Sequence, residues 1–216
     1  MAKVILLSAL ILLLPLGNAI ADVVASQSGT DDNSWALTSD QALAASWAST
    51  QSFSNVTVEV TLDGLRTDES TVDAFLTDNI GSSATPADVL ASNSFVYSAG
   101  IQDETFTVFS GLTLNPGTYY LVLYNPGTAG VWWGSVSPTQ VTAPGVTIAA
   151  DEFAGTVNAA NPYESTFEVA DPTLGLHYSV TGDPVSPVPE PSSMLALAGI
   201  FVGAGVFKLR RACNRQ

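Results

Sequence analysis

Along most of the chain, apolar residues recur with a period of two, the spacing of a strand with one buried and one wet face. In NVTVEVTLDG, Val56, Val58, Val60 and Leu62 alternate with Thr57, Glu59 and Thr61, and Asp63-Gly64 supplies a turn signal. TFTVFSG repeats the alternation, with Phe106 and Val108 on the inward side. GTYYLVLYNPG breaks it. Tyr119 to Tyr124 is apolar or aromatic on both faces, which predicts a central strand covered on both sides, between turns at Pro116-Gly117 and Pro126-Gly127. Shorter candidates are Val72 to Thr77, Phe95 to Ser98, Val131 to Val136, Val146 to Ala149, Ser165 to Val169 and Leu176 to Val180. SDQALAASWAS reads as a turn or two of helix capped by Ser39. Short strands punctuated by Gly, Pro, Asn, Asp and Ser predict an all-β domain. The expected fold is a β-sandwich of jelly-roll or Greek-key kind, with a closed barrel as the alternative.

Both ends depart from this pattern. Met1-Ala2-Lys3 is positively charged, Val4 to Leu14 is almost wholly apolar, and Ala19-Ile20-Ala21 puts small residues where signal peptidase reads them. Residues 1–21 therefore read as a secretory signal peptide, cut before Asp22. The alternative of a membrane anchor needs ~20 apolar residues, and Pro15 and Gly17 interrupt the run before that. At the other end Met194 to Phe207 carries no charge over 14 residues, about 21 Å of helix at ~1.5 Å per residue. Ser192, Ser193, Lys208 and Leu209 extend it toward the ~30 Å of a bilayer core, with Lys208 snorkelling to the surface. The basic cluster Lys208, Arg210, Arg211 and Arg215 places the tail on the cytoplasmic side. The expected organisation is a signal peptide (1–21), an exported sandwich (22–184) and a C-terminal segment (185–216) built around a single transmembrane helix.

Charge narrows the partners. Of the 20 acids only Glu190 lies outside Asp22 to Pro187, and of the six bases only Arg66 lies inside, so that stretch holds 19 acids against one base, a net of −18. Such a field repels phosphate backbones and anionic lipid, which excludes nucleic acid as a partner. The single cysteine, Cys213, sits in the basic tail, so the exported domain has no disulfide and depends on an ordinary core.

Candidate chemistry is sparse. His177, in LGLHYSV, is the one histidine and reads as structural or surface; there is no G-x-S-x-G or H-E-x-x-H. No catalytic residue is assigned and the chain is expected not to be an enzyme, although a carboxylate pair for glycoside hydrolysis is not excluded by composition. Calcium prefers oxygen ligands, and Asp31, Asp32 and Asn33 on one loop, with Asp63, Asp68 and Glu69 on another, offer several. Neither loop has EF-hand spacing, so solvated loop acids are the simpler reading and no cofactor is assigned. Trp132 and Trp133 point to opposite faces if they lie on a strand, one toward the core and the other free to stack on a sugar ring. Tyr119, Tyr120, Tyr124 and Tyr163 add candidates, with aromatic core packing the commoner role. The sequon at Asn55 lies inside a predicted strand and carries little weight.

VPEP (Val188 to Pro191), the apolar segment and the Arg-rich tail together resemble the PEP-CTERM sorting signal of Gram-negative bacteria, over about Val185 to Gln216. Pro-Glu-Pro maps onto Pro189, Glu190 and Pro191, and the tail runs slightly long, with Cys213 after the arginines. The resemblance implies transient anchoring in the inner membrane, removal of the tail by exosortase, and delivery to the cell surface or an exopolysaccharide matrix, commonly in biofilm-forming species. ASWASTQSFSNVTVEV, VDAFLTDNIGSSATPADVLASNS and FTVFSGLTLNPGTYYLVLYN are more loosely similar to choice-of-anchor domains, which implies a sandwich without known activity. The expected function is a non-enzymatic exported surface or matrix protein. The alternative is a secreted carbohydrate-binding module or carbohydrate-active enzyme.

Overall fold

The computed structural model describes residues 21–31, 35–62, 69–98, 103–127, 131–170 and 174–185. The first half of the chain forms β1 (Asp22–Asp31), β2 (Ala36–Leu37), β3 (Ala42–Ser49), β4 (Phe53–Leu62), β5 (Ser70–Thr77), β6 (Val89–Tyr97) and β7 (Glu104–Leu114). The second half forms β8 (Gly117–Tyr124), β9 (Val131–Trp132), β10 (Ser135–Thr142), β11 (Val146–Ile148), β12 (Glu152–Ala154), β13 (Glu168–Val169), β14 (Leu174–Gly175) and β15 (Tyr178–Pro184). Single 3₁₀ turns lie at Pro86–Asp88 and Pro162–Glu164.

One sheet has the order β14-β10-β1-β15-β4-β7, and the other β13-β12-β3-β8-β5-β6 with β11 also on β3; β2 and β9 form a separate pair. Every neighbouring pair is antiparallel. No ladder joins the two large sheets among the described residues, so they form a β-sandwich and the closed-barrel alternative falls.

The core is drawn from the inner faces of both sheets. β4 shows the predicted alternation in full, with Val56, Val58, Val60 and Leu62 all without solvent contact. Across the gap, β3, β5 and β8 contribute Leu43, Trp47, Leu76, Leu121 and Leu123 to the same cluster. Trp47 stacks on both Tyr119 and Tyr178, each at a ring-centroid distance of 5.9 Å, so three aromatic rings from β3, β8 and β15 span the two layers.

β8 is covered on both sides, as its sequence predicts. Its outward residues Val122 and Tyr124 join Ala42 and Ala44 in a second cluster, closed by Ala84 from the segment before the first 3₁₀ turn and by Tyr163 within the second. Those two segments are tied to each other where the Gly81 N–H donates to the Tyr163 carbonyl at 2.8 Å. A face that would be wet in an ordinary sandwich is therefore dry, and the doubly apolar run follows from it.

Several expectations need correction. Ala42–Ser49 is a strand, not a helical turn: each of its eight residues pairs with β8, and Ser39 and Asp40 lie in a tight turn closed by reciprocal Thr38 and Gln41 backbone bonds. Its run of alanines suits burial on both faces, and burial on both faces erases the period-two signal. The predicted strand Val131 to Val136 breaks at Trp133-Gly134, and β10 then continues through polar residues to Thr142. β1, equally rich in Ser, Gln and Thr, is not among the predicted strands. In β7 a register shift turns Val108 and Phe109 both inward, and Phe106 is half-buried against Phe95 at 4.7 Å.

The strand ends sort to two poles. Asp22 lies opposite Gly182 and Phe53 opposite Pro184, so β1 begins and β15 ends side by side. The same pole holds the 50–52, 115–116 and 143–145 turns and the 78–88 segment. At the opposite pole lie Asp31, Leu62 with its partner Glu104, and Ser70 with its partner Tyr97.

Candidate functional site

At the pole where the sandwich begins and ends, a cleft of about 540 Å³ opens between the end of β5, the start of β6 and the turn from β7 to β8. Its lining combines apolar side chains, Leu76, Leu90, Leu112, Leu114 and Pro116, with the polar groups of Asp78, Thr113, Asn115 and Thr118. Local bonds hold the rim. The Tyr119 hydroxyl donates to the Asn115 carbonyl, and the Asp78 N–H donates to the Asp88 carbonyl at 3.1 Å. The Asp88 carboxylate in turn accepts from the Thr85 N–H at 2.7 Å. Burial raises the Tyr119 phenol above its ordinary range, so it stays protonated and keeps donating. The sequence marked LNPGTYY as a turn and strand; the cleft arises where the β5–β6 segment meets it, which no local pattern reveals.

The predicted aromatic contacts are redistributed. Trp133 is fully buried, and its indole N–H donates to the His177 carbonyl at 2.9 Å, so it is a core residue with no face for a sugar. Trp132 pairs through its backbone with Ala36, and its side chain lies outside the described residues. Tyr119, Tyr124 and Tyr163 are buried and Tyr120 is half-buried. His177 is half-buried, and its carbonyl also accepts from the Thr61 N–H at 3.0 Å, which anchors the start of β15.

Of the two acidic loops weighed for calcium, Asp31 ends β1 and Glu69 precedes β5, at the pole opposite the cleft, while Asp32, Asn33, Asp63 and Asp68 lie outside the described residues. Among the described residues, no three His, Cys, Asp or Glu side chains are grouped to hold a metal ion.

Among the described residues one carboxyl group is deeply placed. Asp151, just before β12, crosses between the sheets: its Oδ2 accepts from Gln27 Nε2 at 2.5 Å and from the Leu176 N–H at 2.9 Å. Gln27 is itself buried, donates to the Leu176 carbonyl at 3.2 Å and accepts from Gln140 Nε2 at 2.6 Å. Burial pushes the Asp151 carboxyl up to about 6 against the pull of these donors, and burial followed by the nearby Asp151 charge raises the Tyr178 phenol. The acid in IAADEF carries no motif, so sequence reasoning misses it.

Pro189, Glu190, Pro191 and the basic residues Lys208, Arg210, Arg211 and Arg215 lie outside the described residues, as do residues 1–20 of the expected signal peptide. Among the described residues no helix is long and apolar enough to cross a membrane. Residues 187–212 match the PEP-CTERM protein-sorting motif, which begins three residues after β15 ends. The chain is thereby an exported protein sorted by exosortase. No curated protein is significantly similar to it.

Proposed function

We propose that this is a non-enzymatic protein of the cell surface or extracellular matrix, associated with exopolysaccharide, whose exported part is a jelly-roll sandwich. The sorting motif directly after the last strand is the observation that carries the reading. The strand order supports the fold: with β1, β3, β4, β5, β6, β7, β8 and β15 taken as first to eighth, the sheets contain the runs first-eighth-third-sixth and second-seventh-fourth-fifth, a doubled Greek key. Signal peptidase cuts before Asp22, which leaves β1 intact from its first residue. The apolar segment then holds the chain in the inner membrane until exosortase removes it. Fractionation of an exosortase-bearing host tests this: the mature protein is expected in the surface or matrix fraction, starting at Asp22 and lacking the basic tail. A full-length chain in the inner membrane of such a host rejects it.

A further inference from the structure

We propose that the cleft lined by Asp78, Thr113, Asn115 and Thr118 binds an uncharged, hydroxyl-rich ligand, of the class of neutral oligosaccharides. This deepens the surface-matrix reading and rests on it, since only an exported chain meets extracellular glycans.

The cleft lies within the size range of small-ligand sites and has room for a short oligosaccharide. Its chemistry selects the ligand. Among the described residues no lysine or arginine lines it, and the stretch from Asp22 to Pro187 carries a net of −18, so a uronate, sulfate or phosphate group would enter against the field without a counter-charge. Asp78 is the one carboxylate among the described lining residues, too few oxygens for a hard cation. The donors and acceptors that remain are those that recognise hydroxyl groups: a carboxylate that accepts two hydroxyl hydrogens, two threonine hydroxyls that donate and accept, and an amide that does both. The apolar part of the lining includes Leu90, which is 46 % exposed although large and aliphatic. A lining that mixes apolar side chains with hydroxyl-recognising polar groups suits a pyranose, with C–H groups on its faces and hydroxyls at its rim. A fully apolar ligand would strip water from Asp78 without replacing those hydrogen bonds.

Gly117 provides the test. It lines the cleft, and a Cβ built there meets its nearest neighbours, the Tyr119 ring and hydroxyl and the Asn115 carbonyl, at 3.7 to 3.9 Å, ordinary contact distances. A Cβ is thus accommodated at Gly117, and Gly117→Val adds bulk at the cleft lining, with its melting temperature reporting how the fold accepts the branched side chain. Asp78→Asn keeps the shape and removes the charge, on a side chain that is exposed.

The mature protein, purified from an exosortase-bearing host, is applied to an array of neutral and uronate-containing glycans, and the strongest neutral binder is measured by calorimetry. The wild type is expected to bind neutral glycans and no uronates. Gly117→Val is expected to weaken that binding at least tenfold, and Asp78→Asn severalfold, with melting temperatures within a few degrees of wild type. Absence of neutral-glycan binding, preference for uronates, or undiminished binding by a folded Gly117→Val variant each overturns the proposal. These outcomes leave the surface-matrix reading standing if the protein is still found processed in the surface or matrix fraction. If the chain stays uncut in the inner membrane instead, that reading fails, and the same array on detergent-extracted full-length protein decides the cleft.

Discussion

Gln27 and Asp151, 124 positions apart in the chain, meet between the two sheets at 2.5 Å, and both side chains are more than nine-tenths buried. The contact joins β1 of one sheet to the start of β12 in the other. It also places a carboxylate where burial favours its neutral form.

The pH dependence follows with a definite sign. The Asp151 carboxyl is raised from 3.8 to about 6 in the folded chain. Between those values the native state holds a proton that the unfolded state has released, so stability falls as pH rises through about 4 to 6 and levels off above. Two pKa units amount to about 3 kcal/mol. Asp151→Asn keeps the planar shape and an acceptor oxygen for Gln27 and the Leu176 N–H but cannot ionise. It is expected to be more stable than wild type at pH 7.5 and equal to it near pH 4, as read from urea denaturation at both values. Equal stability at pH 7.5 would show that Asp151 is well compensated when charged.

Gly175 sits in the same junction, where an added Cβ would fall 2.6 Å from Pro138 Cβ and 2.7 Å from Gln27 Nε2. Gly175→Ala is expected to cost about 1 to 3 kcal/mol by overpacking, and to remove the pH dependence in part by displacing Gln27. Denaturation curves across pH separate the two effects.

Trp133→Phe deletes the indole N–H that reaches the His177 carbonyl, but that carbonyl keeps its bond from Thr61. Because the acceptor is not orphaned, the loss in hydrogen bonding is expected at about 0.5 to 1.5 kcal/mol rather than the larger cost of an unsatisfied group. Glycan binding is expected to be unchanged. A loss of glycan binding in a folded variant would return Trp133 to the ligand-contact candidates.

For sorting, Glu190→Ala leaves the apolar segment and its charges untouched and is expected to block removal of the tail, leaving full-length protein in the inner membrane. Arg210→Ala with Arg211→Ala is expected instead to weaken retention on the cytoplasmic side, so that part of the population passes outward uncut. Immunoblotting of membrane and culture fractions distinguishes the two. Normal processing of the Glu190 variant would move recognition to other positions of the motif.

The parts of the fold that were legible are those whose two faces differ. Val56 to Leu62 announces itself because water lies on one side of β4 and the core on the other. Tyr119 to Tyr124 is legible for the opposite reason, an unbroken apolar run. Ala42–Ser49 misleads because alanine is both a good helix former and small enough to sit between two packed layers, so local propensity and tertiary role disagree. β1 and β10 are hidden by Ser, Thr and Gln, and one of those polar residues, Gln27, is buried only because Asp151 and Gln140 satisfy it. Partners that distant leave no local trace. Only the sorting signal, being linear, is fully written in consecutive residues.

The adjacency of Asp22 and Gly182 has a consequence for modularity. A domain whose chain enters and leaves at neighbouring points behaves as a cassette: it can be exchanged upstream of a sorting tail, or repeated in tandem, without the strands having to be rerouted. The same geometry makes it a candidate for circular permutation. A short linker from Pro184 back to Asp22 would bridge adjacent strands, and new termini opened in the Thr50–Ser52 turn would leave every ladder of the sandwich paired.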